Sequence, residues 1–283
     1  MAGQIEILNA MFKFNECYAS FVNLAHRQDR LTHMMGQLVK AGIQAERFEA
    51  IKTSDHQWEP TTYGTMMRRT PGAIGCYVSQ MEVMKKAYEA GKSAFVMEDD
   101  LVFCTDIQKR FEYIEKFIND NEPDFHVIWL GGTFHVGPPY WYTGRNHLLQ
   151  GRYIGRDAER TKDPRMFRTN AAFSTHAYVV NYKHIPAILE ELERQKPTSI
   201  GIDYSFIRMQ PDLRCFAFVP GCVKQIDNMS DIGTGMTIYS GFSRLNGTIE
   251  NSLYWWQDRM EDFDPEKFDW KEASKLDINM GVK

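Results

Sequence analysis

The run Ala94-Phe95-Val96-Met97, followed at once by Glu98-Asp99-Asp100, constrains this chain more than any other stretch. Four apolar residues ending on charge read as a short strand buried on both faces, and such a strand belongs in a sheet covered by helices. In an open sheet of that kind ligands bind beyond the carboxyl ends of the strands, which is where the three acids stand. Crowded carboxylates repel one another and lose hydration, and a hard divalent cation with oxygen ligands relieves both. A cation held by few protein groups completes its shell with water and substrate phosphates, so the triplet points to a metal and a nucleotide-diphosphate donor. The plainer reading is an acidic loop that caps the next helix.

The same alternation recurs along the chain. Tyr18-Ala19-Ser20-Phe21-Val22-Asn23-Leu24 reads as a strand, and after a charged turn Leu31, Met34, Met35 and Leu38 recur at helical spacing up to the stop signal Gly42. Phe48-Glu49-Ala50-Ile51 reads as a second strand. Residues 54–69, with Pro60 and Gly64 and no period, read as a loop covering a site. Pro71 opens a helix whose apolar face is Ile74, Tyr77, Val78, Met81, Met84 and Tyr88, and Gly91 ends it. A helix over Asp106 to Asn119, strands over Phe125 to Leu130 and Ala177 to Val180, a helix over Ile185 to Arg194 and a strand over Arg214 to Val219 follow. Gly131-Gly132 reads as the stop of the first of these strands, and 133–168 has few regular signals. Strands alternating with helices imply a mainly parallel sheet with helices on both faces.

Composition narrows the partners. In 283 residues, 43% apolar and 13% aromatic, there is enough core for a folded domain, and disorder is not the expectation. A net charge of -4 removes any general electrostatic reason to expect nucleic acid or an anionic membrane. No apolar run approaches the roughly 20 residues of a membrane span, and the start lacks the pattern of a secretory signal, so a soluble cytoplasmic protein is expected. Cys17, Cys76, Cys104, Cys215 and Cys222 are scattered and odd in number, as reduced buried thiols would be.

Four blocks in order resemble family 25 glycosyltransferases, the group that includes lipopolysaccharide and collagen sugar transferases. They are Phe21-Val22-Asn23-Leu24 with Arg27, Asp29 and Arg30 and then Glu46-Arg47-Phe48-Glu49-Ala50; Pro71-Gly72-Ala73-Ile74-Gly75-Cys76-Tyr77-Val78-Ser79; Glu98-Asp99-Asp100; and Asn181, Ile202-Asp203 and Ser230-Asp231-Ile232. One departure is Gln80, where the family usually has His. The resemblance implies a Rossmann-like sheet of the glycosyltransferase A type over residues 1–235, with 236–283 as an irregular extension packed on it. It also implies inverting transfer of a hexose, galactose or glucose, from a UDP-sugar to a hydroxyl of a glycan or glycoconjugate, with Mn²⁺ or Mg²⁺ on the donor diphosphate. Two rivals are a nucleotide- or glycan-binding module that has lost transfer, and a transferase whose acceptor is a modified base in nucleic acid.

Each candidate residue has two readings. Glu98, Asp99 and Asp100 are metal ligands, with Asp99 also facing the donor, or an acidic cap. Asp203 is the base that takes the acceptor proton in a single inverting displacement, or a helix cap. Arg27 and Arg30 fork onto phosphate, or belong to a solvated turn. Asn23 bonds the donor's base or ribose, or forms a turn. Gly72 and Gly75 let the backbone approach the donor with Ser79 one helical turn on, or serve helix geometry and packing. Asp231 touches donor or metal, or caps a turn. Arg145, Arg152, Arg156, Arg160, Lys162, Arg165 and Arg168, among Tyr140, Trp141, Tyr142 and Tyr153, form the one segment suited to an anionic acceptor. Tyr254-Trp255-Trp256 binds a partner or packs on the body.

Overall fold

Residues that are apolar on both sides of a strand must be covered on both sides, and that requirement shapes the molecule. The computed structural model describes residues 11–53, 70–134, 159–169, 172–196, 199, 201–226, 228–232, 235–237 and 258–266. Its strands in chain order are β1 (Tyr18–Asn23), β2 (Glu46–Glu49), β3 (Ala94–Glu98), β4 (Leu101–Phe103), β5 (Val127–Phe134), β6 (Glu159–Arg160), β7 (Met166–Arg168), β8 (Ala172–Val180), β9 (Cys215–Phe218), β10 (Val223–Gln225), β11 (Asn228–Ser230) and β12 (Gly235–Thr237). The main sheet has eight strands in the order β2-β1-β3-β8-β5-β9-β7-β6. β1 runs parallel to β2 and β3, and β5 to β9, while β8 opposes β3 and β5 and β7 opposes β9 and β6. Six strands therefore share one direction and β7 and β8 oppose it, so the sheet is mixed and mainly parallel, as expected for a Rossmann-like α/β fold.

Helices α1 (Gln28–Ala41) and α3 (Ile107–Asn121) cover one face; α2 (Pro71–Glu89), α4 (Ile185–Gln195) and α5 (Ile202–Met209) cover the other. The pleat of β3 divides its residues between them. Phe95 and Met97 pack with Met34, Leu38, Phe111 and Ile114, whereas Ala94 and Val96 pack with Tyr77, Met81, Met84 and Leu192. Each such side chain contributes about 1.5–3 kcal/mol by leaving water. Trp129 anchors the second face, its ring 5.3 Å from those of Tyr178 and Phe206.

The helix signals are obeyed. Gly42 ends α1 at φ 66°, its N–H on Val39 O at 3.2 Å and that of Ile43 on Leu38 O at 3.0 Å. Thr70 opens α2 by accepting from Ala73 N at 3.1 Å, with Pro71 in the first turn. Three expectations need correction. The second strand is Glu46–Glu49 rather than 48–51, because it is an exposed edge whose ladder with β1 starts at Ser20 and Glu46. Gly131-Gly132 does not stop β5, which continues to Phe134; a Cβ on Gly131 would lie 2.2 Å from Val223 Cγ2, so the glycine admits β10 alongside. On the expected face of α2, Tyr88 is exposed and stacks on Tyr182 at 5.2 Å.

Within 133–168 the structure places β6 and β7, while Tyr140, Trp141, Tyr142, Arg145, Arg152, Tyr153 and Arg156 lie outside the described residues, as do the 54–69 loop and Tyr254-Trp255-Trp256. The described part of the C-terminal tail packs on the sheet domain. Met260 N–H donates to Asp106 Oδ2 at 2.5 Å, and Arg165 Nη2 to Phe263 O at 3.0 Å. Among the described residues no helix is long and apolar enough to cross a membrane.

Candidate active site

The chain leaves β1 toward β2 on one side and returns to β3 on the other, so the carboxyl ends of β1 and β3 flank a point where strand order reverses. Such a point opens a crevice, and ligands of open α/β sheets bind there. The register Val22 to Glu98 puts Asn23 beside the acid triplet.

Asn23 Nδ2 donates to Asp99 Oδ2 at 2.7 Å, and Arg47 Nε holds the other end of that amide, Asn23 Oδ1, at 2.9 Å. Arg30, in the first turn of α1, donates to Asp99 Oδ1 at 2.8 Å and stands 3.5 Å from Asp100 Oδ2. Arg27 grips Asp29 with two bonds of 2.9 and 2.7 Å and donates a third to Asp231 Oδ2, which is also 3.9 Å from Arg30. These contacts, led by the one from Asp29, hold the Arg27 guanidinium charged. Asn23, Arg27, Arg30, Asp99, Asp100 and Asp231 thus form one network, built from groups as far apart in sequence as β1 and the β11–β12 turn.

Glu98 closes it on the other side. Gln225 Nε2 bridges Glu98 Oε2 at 2.8 Å and Asp100 Oδ1 at 3.1 Å, while Thr175 Oγ1 donates to Glu98 Oε1 at 3.0 Å. Burial first, and then the charge of Asp100, push the Glu98 carboxyl up to about 8. Asp203 lies at the start of α5. The N-cap position of that helix is Gly201, and Asp203, two residues on, serves a first-turn N–H with its carboxylate. It accepts from Tyr204 N at 2.9 Å, and the peptide N–H of Ser174 faces it and favours its ionised form. Burial raises its proton affinity and these N–H groups oppose the rise, a balance suited to a group that must gain and lose a proton. Its charge in turn raises Glu98 and Cys76.

Gly72, Gly75 and Ser79 lie on α2, packed against the Asp231 turn and Ile51. A Cβ on Gly72 would meet Asp231 O at 2.3 Å, and one on Gly75 would meet Ile51 O at 2.4 Å, so the close approach these glycines permit is to the chain's own backbone. Ser79, fully buried, donates to Gly75 O at 2.6 Å and accepts from Ile51 N at 2.9 Å. Arg168 and Arg165 sit on and beside β7, and Arg165 is occupied with the C-terminal tail. Gln225, Thr175, Tyr178 and the backbone of Ser174 have no signal in the sequence, because a single amide, hydroxyl or peptide group carries no spacing.

A divalent cation suits the chemistry of this donor set. The triplet offers only oxygen atoms, as a hard divalent cation prefers, with Arg30 2.8 Å from Asp99 and 3.5 Å from Asp100 and with Gln225 bridging Glu98 and Asp100. Among the described residues no group of three or more His, Cys, Asp or Glu is arranged to hold an ion, so donor phosphate oxygens would be needed to complete a shell.

The model of glycosyltransferase family 25, described as an LPS biosynthesis protein, matches residues 19–205. That span holds β1, α1, α2, the acid triplet and Asp203, and ends before Asp231. Among curated proteins, none matches the chain. With most of its sheet and most of its acid site inside the matched span, the chain belongs to glycosyltransferase family 25 and is a transferase.

Proposed function

We propose that the chain transfers a hexose, galactose or glucose, from a UDP-sugar to a hydroxyl of a glycan or glycoconjugate, with inversion and with Mn²⁺ or Mg²⁺. The observation that carries this reading is the meeting of Glu98, Asp99 and Asp100 with Arg27 and Arg30 at the switch point, with Asp203 near enough for its charge to act on Glu98. Residues 1–235 are the catalytic domain and 236–283 an extension.

In this reading Asn23, Gly72 and Ser79 seat the nucleotide, and the diphosphate replaces Asp231 on the guanidinium forks of Arg27 and Arg30. Glu98, Asp99 and Asp100 hold the cation, which when bound offsets the negative charge that develops on the departing diphosphate. Asp203 accepts the proton of the acceptor hydroxyl as oxygen attacks the anomeric carbon from the opposite face. Burial of Asp203 favours that uptake, and its N–H partners keep the carboxylate aimed.

The test is a panel of nucleotide sugars scored by melting temperature with and without Mn²⁺, followed by release of UDP. A ligand at a hundredfold excess over its dissociation constant stabilises by about 2.7 kcal/mol. A rise in melting temperature with a UDP-hexose that requires Mn²⁺, together with UDP release, is the expected result. Stabilisation without turnover of any sugar would leave a binding module instead.

A further inference from the structure

Ser174 in β8 is the only non-glycine residue with a positive φ among the described residues, at 66°. A residue with a Cβ resists that conformation, and it persists where the surroundings impose it, commonly at functional sites. The register of β5 and β8 identifies the source. Gly131 pairs with Ala177 and Thr133 with Phe173, so one residue of β5 faces Ser174, Thr175 and His176 together. A bulge of this kind re-aims groups that a regular strand would point elsewhere.

Two groups are re-aimed toward acids. The peptide N–H of Ser174 faces the Asp203 carboxylate and favours its ionised form, and Thr175 Oγ1 donates to Glu98 Oε1 at 3.0 Å. Gln80 secures the second contact. The Tyr178 hydroxyl donates to Gln80 Oε1 at 2.9 Å, which turns Gln80 Nε2 toward Thr175 Oγ1 at 3.1 Å and Glu98 Oε1 at 3.3 Å. We infer that the Ser174–His176 bulge is the positioning element of the active site: Ser174 holds the acceptor-side carboxylate Asp203, and Thr175, backed by Gln80, holds the donor-side carboxyl Glu98. One irregularity in one strand then fixes the separation between the two halves of the reaction. This rests on the roles given to Asp203 and Glu98 under the proposed function.

The experiment uses the full chain with Mn²⁺ and UDP-galactose or UDP-glucose, and reads UDP release with water as acceptor. Ser174→Val puts a β-branched side chain where the backbone is left-handed. Its kcat is expected to fall roughly a hundredfold, as misplacement of a reacting group does, with KM for the UDP-hexose unchanged. Ser174→Gly keeps the N–H and adopts the conformation freely, and it is expected to recover the lost turnover. Thr175→Val keeps the shape and removes the hydroxyl. It is expected to raise the Mn²⁺ and UDP-hexose concentrations needed for half-saturation, with kcat less affected. Wild-type kcat in a folded Ser174→Val overturns the first half of the inference, and unchanged Mn²⁺ and donor dependence in Thr175→Val overturns the second. If Ser174→Val does not fold by circular dichroism, failure of Ser174→Gly to match or exceed wild-type thermal stability overturns the first half. Asp203→Asn run in parallel separates the levels: normal turnover in it removes the role of Asp203, whereas its inactivity beside a fully active Ser174→Val removes only the positioning.

Discussion

Single polar residues at or just after a strand end were legible because that position is where an open sheet binds ligands. Asp99, Asp100, Arg27, Arg30 and Asn23 stand out in the sequence and meet in space. Gln225 and Thr175 do not stand out, although each holds Glu98. The division of roles predicts separable losses. Asp100→Ala should abolish Mn²⁺-dependent stabilisation by the UDP-hexose, while Asp203→Ala should keep that stabilisation and lose transfer by a factor of about 10²–10⁴; thermal shift and UDP release measure the two. Equal loss of both in both variants would show the roles to be misassigned. Arg30 has a structural share as well. With Arg30 and Asp99 side chains only 11% and 8% exposed, Arg30→Ala leaves a buried carboxylate with one neutral donor, Asn23. Removing one partner of such a pair costs about 3–5 kcal/mol, to be read from urea unfolding, and Arg30→Lys should recover only part of it because it lacks the fork.

Elements were legible where period and punctuation agreed. α1 and α2 begin and end near Gln28, Gly42, Pro71 and Gly91 as their signals require, since caps and apolar stripes are local properties. The full length of β5 is not legible because Gly131-Gly132 looks like punctuation, and it is the approach of β10 that explains Gly131. The bulge in β8 is not legible for the same reason: it arises from the register with β5, which the residues of β8 do not themselves reveal. Glycine substitutions separate local from tertiary roles. Gly36, inside α1, has nothing within 4 Å of a built Cβ, so Gly36→Ala should stabilise by about 0.5–1 kcal/mol through helix propensity. Gly72→Ala should do the opposite. Its Cβ would sit 2.3 Å from Asp231 O and 2.8 Å from Ile232 Cα, so the Asp231 turn must leave the start of α2 and withdraw its carboxylate from Arg27. A lower melting temperature and a changed KM for the UDP-hexose, with kcat nearly kept, are the expected signs. An unaffected Gly72→Ala would mean that the turn is not held against α2 in solution.

At the scale of the whole molecule, the class of sheet is legible in the sequence and the order of its strands is not. Nothing in a strand's own residues says that β8 inserts between β3 and β5 with reversed direction, because the choice depends on how long crossovers pack. That insertion buries His176 and brings Thr175 to Glu98, and together these groups set how stability varies with pH. Burial pushes His176 down to about 3 from 6.5, so between those values the unfolded chain binds the extra proton and stability falls as pH falls. Glu98, raised from 4.5 to about 8 by burial and then by Asp100, keeps a proton in the fold that the unfolded chain releases, so stability falls as pH rises from 4.5 to 8. Each slope is at most about 1.4 kcal/mol per pH unit. Between pH 4.5 and 6.5 the two oppose each other and the melting temperature should be nearly flat; below that window His176 makes it drop, and above it Glu98 does. Glu98→Gln should remove the alkaline fall and leave the acid one, and His176→Gln should do the reverse. Mn²⁺ should also flatten the alkaline limb of the wild-type protein, since a cation beside the carboxylates takes over the stabilising role of the proton, and an alkaline limb indifferent to Mn²⁺ would argue against metal at Glu98 and Asp100.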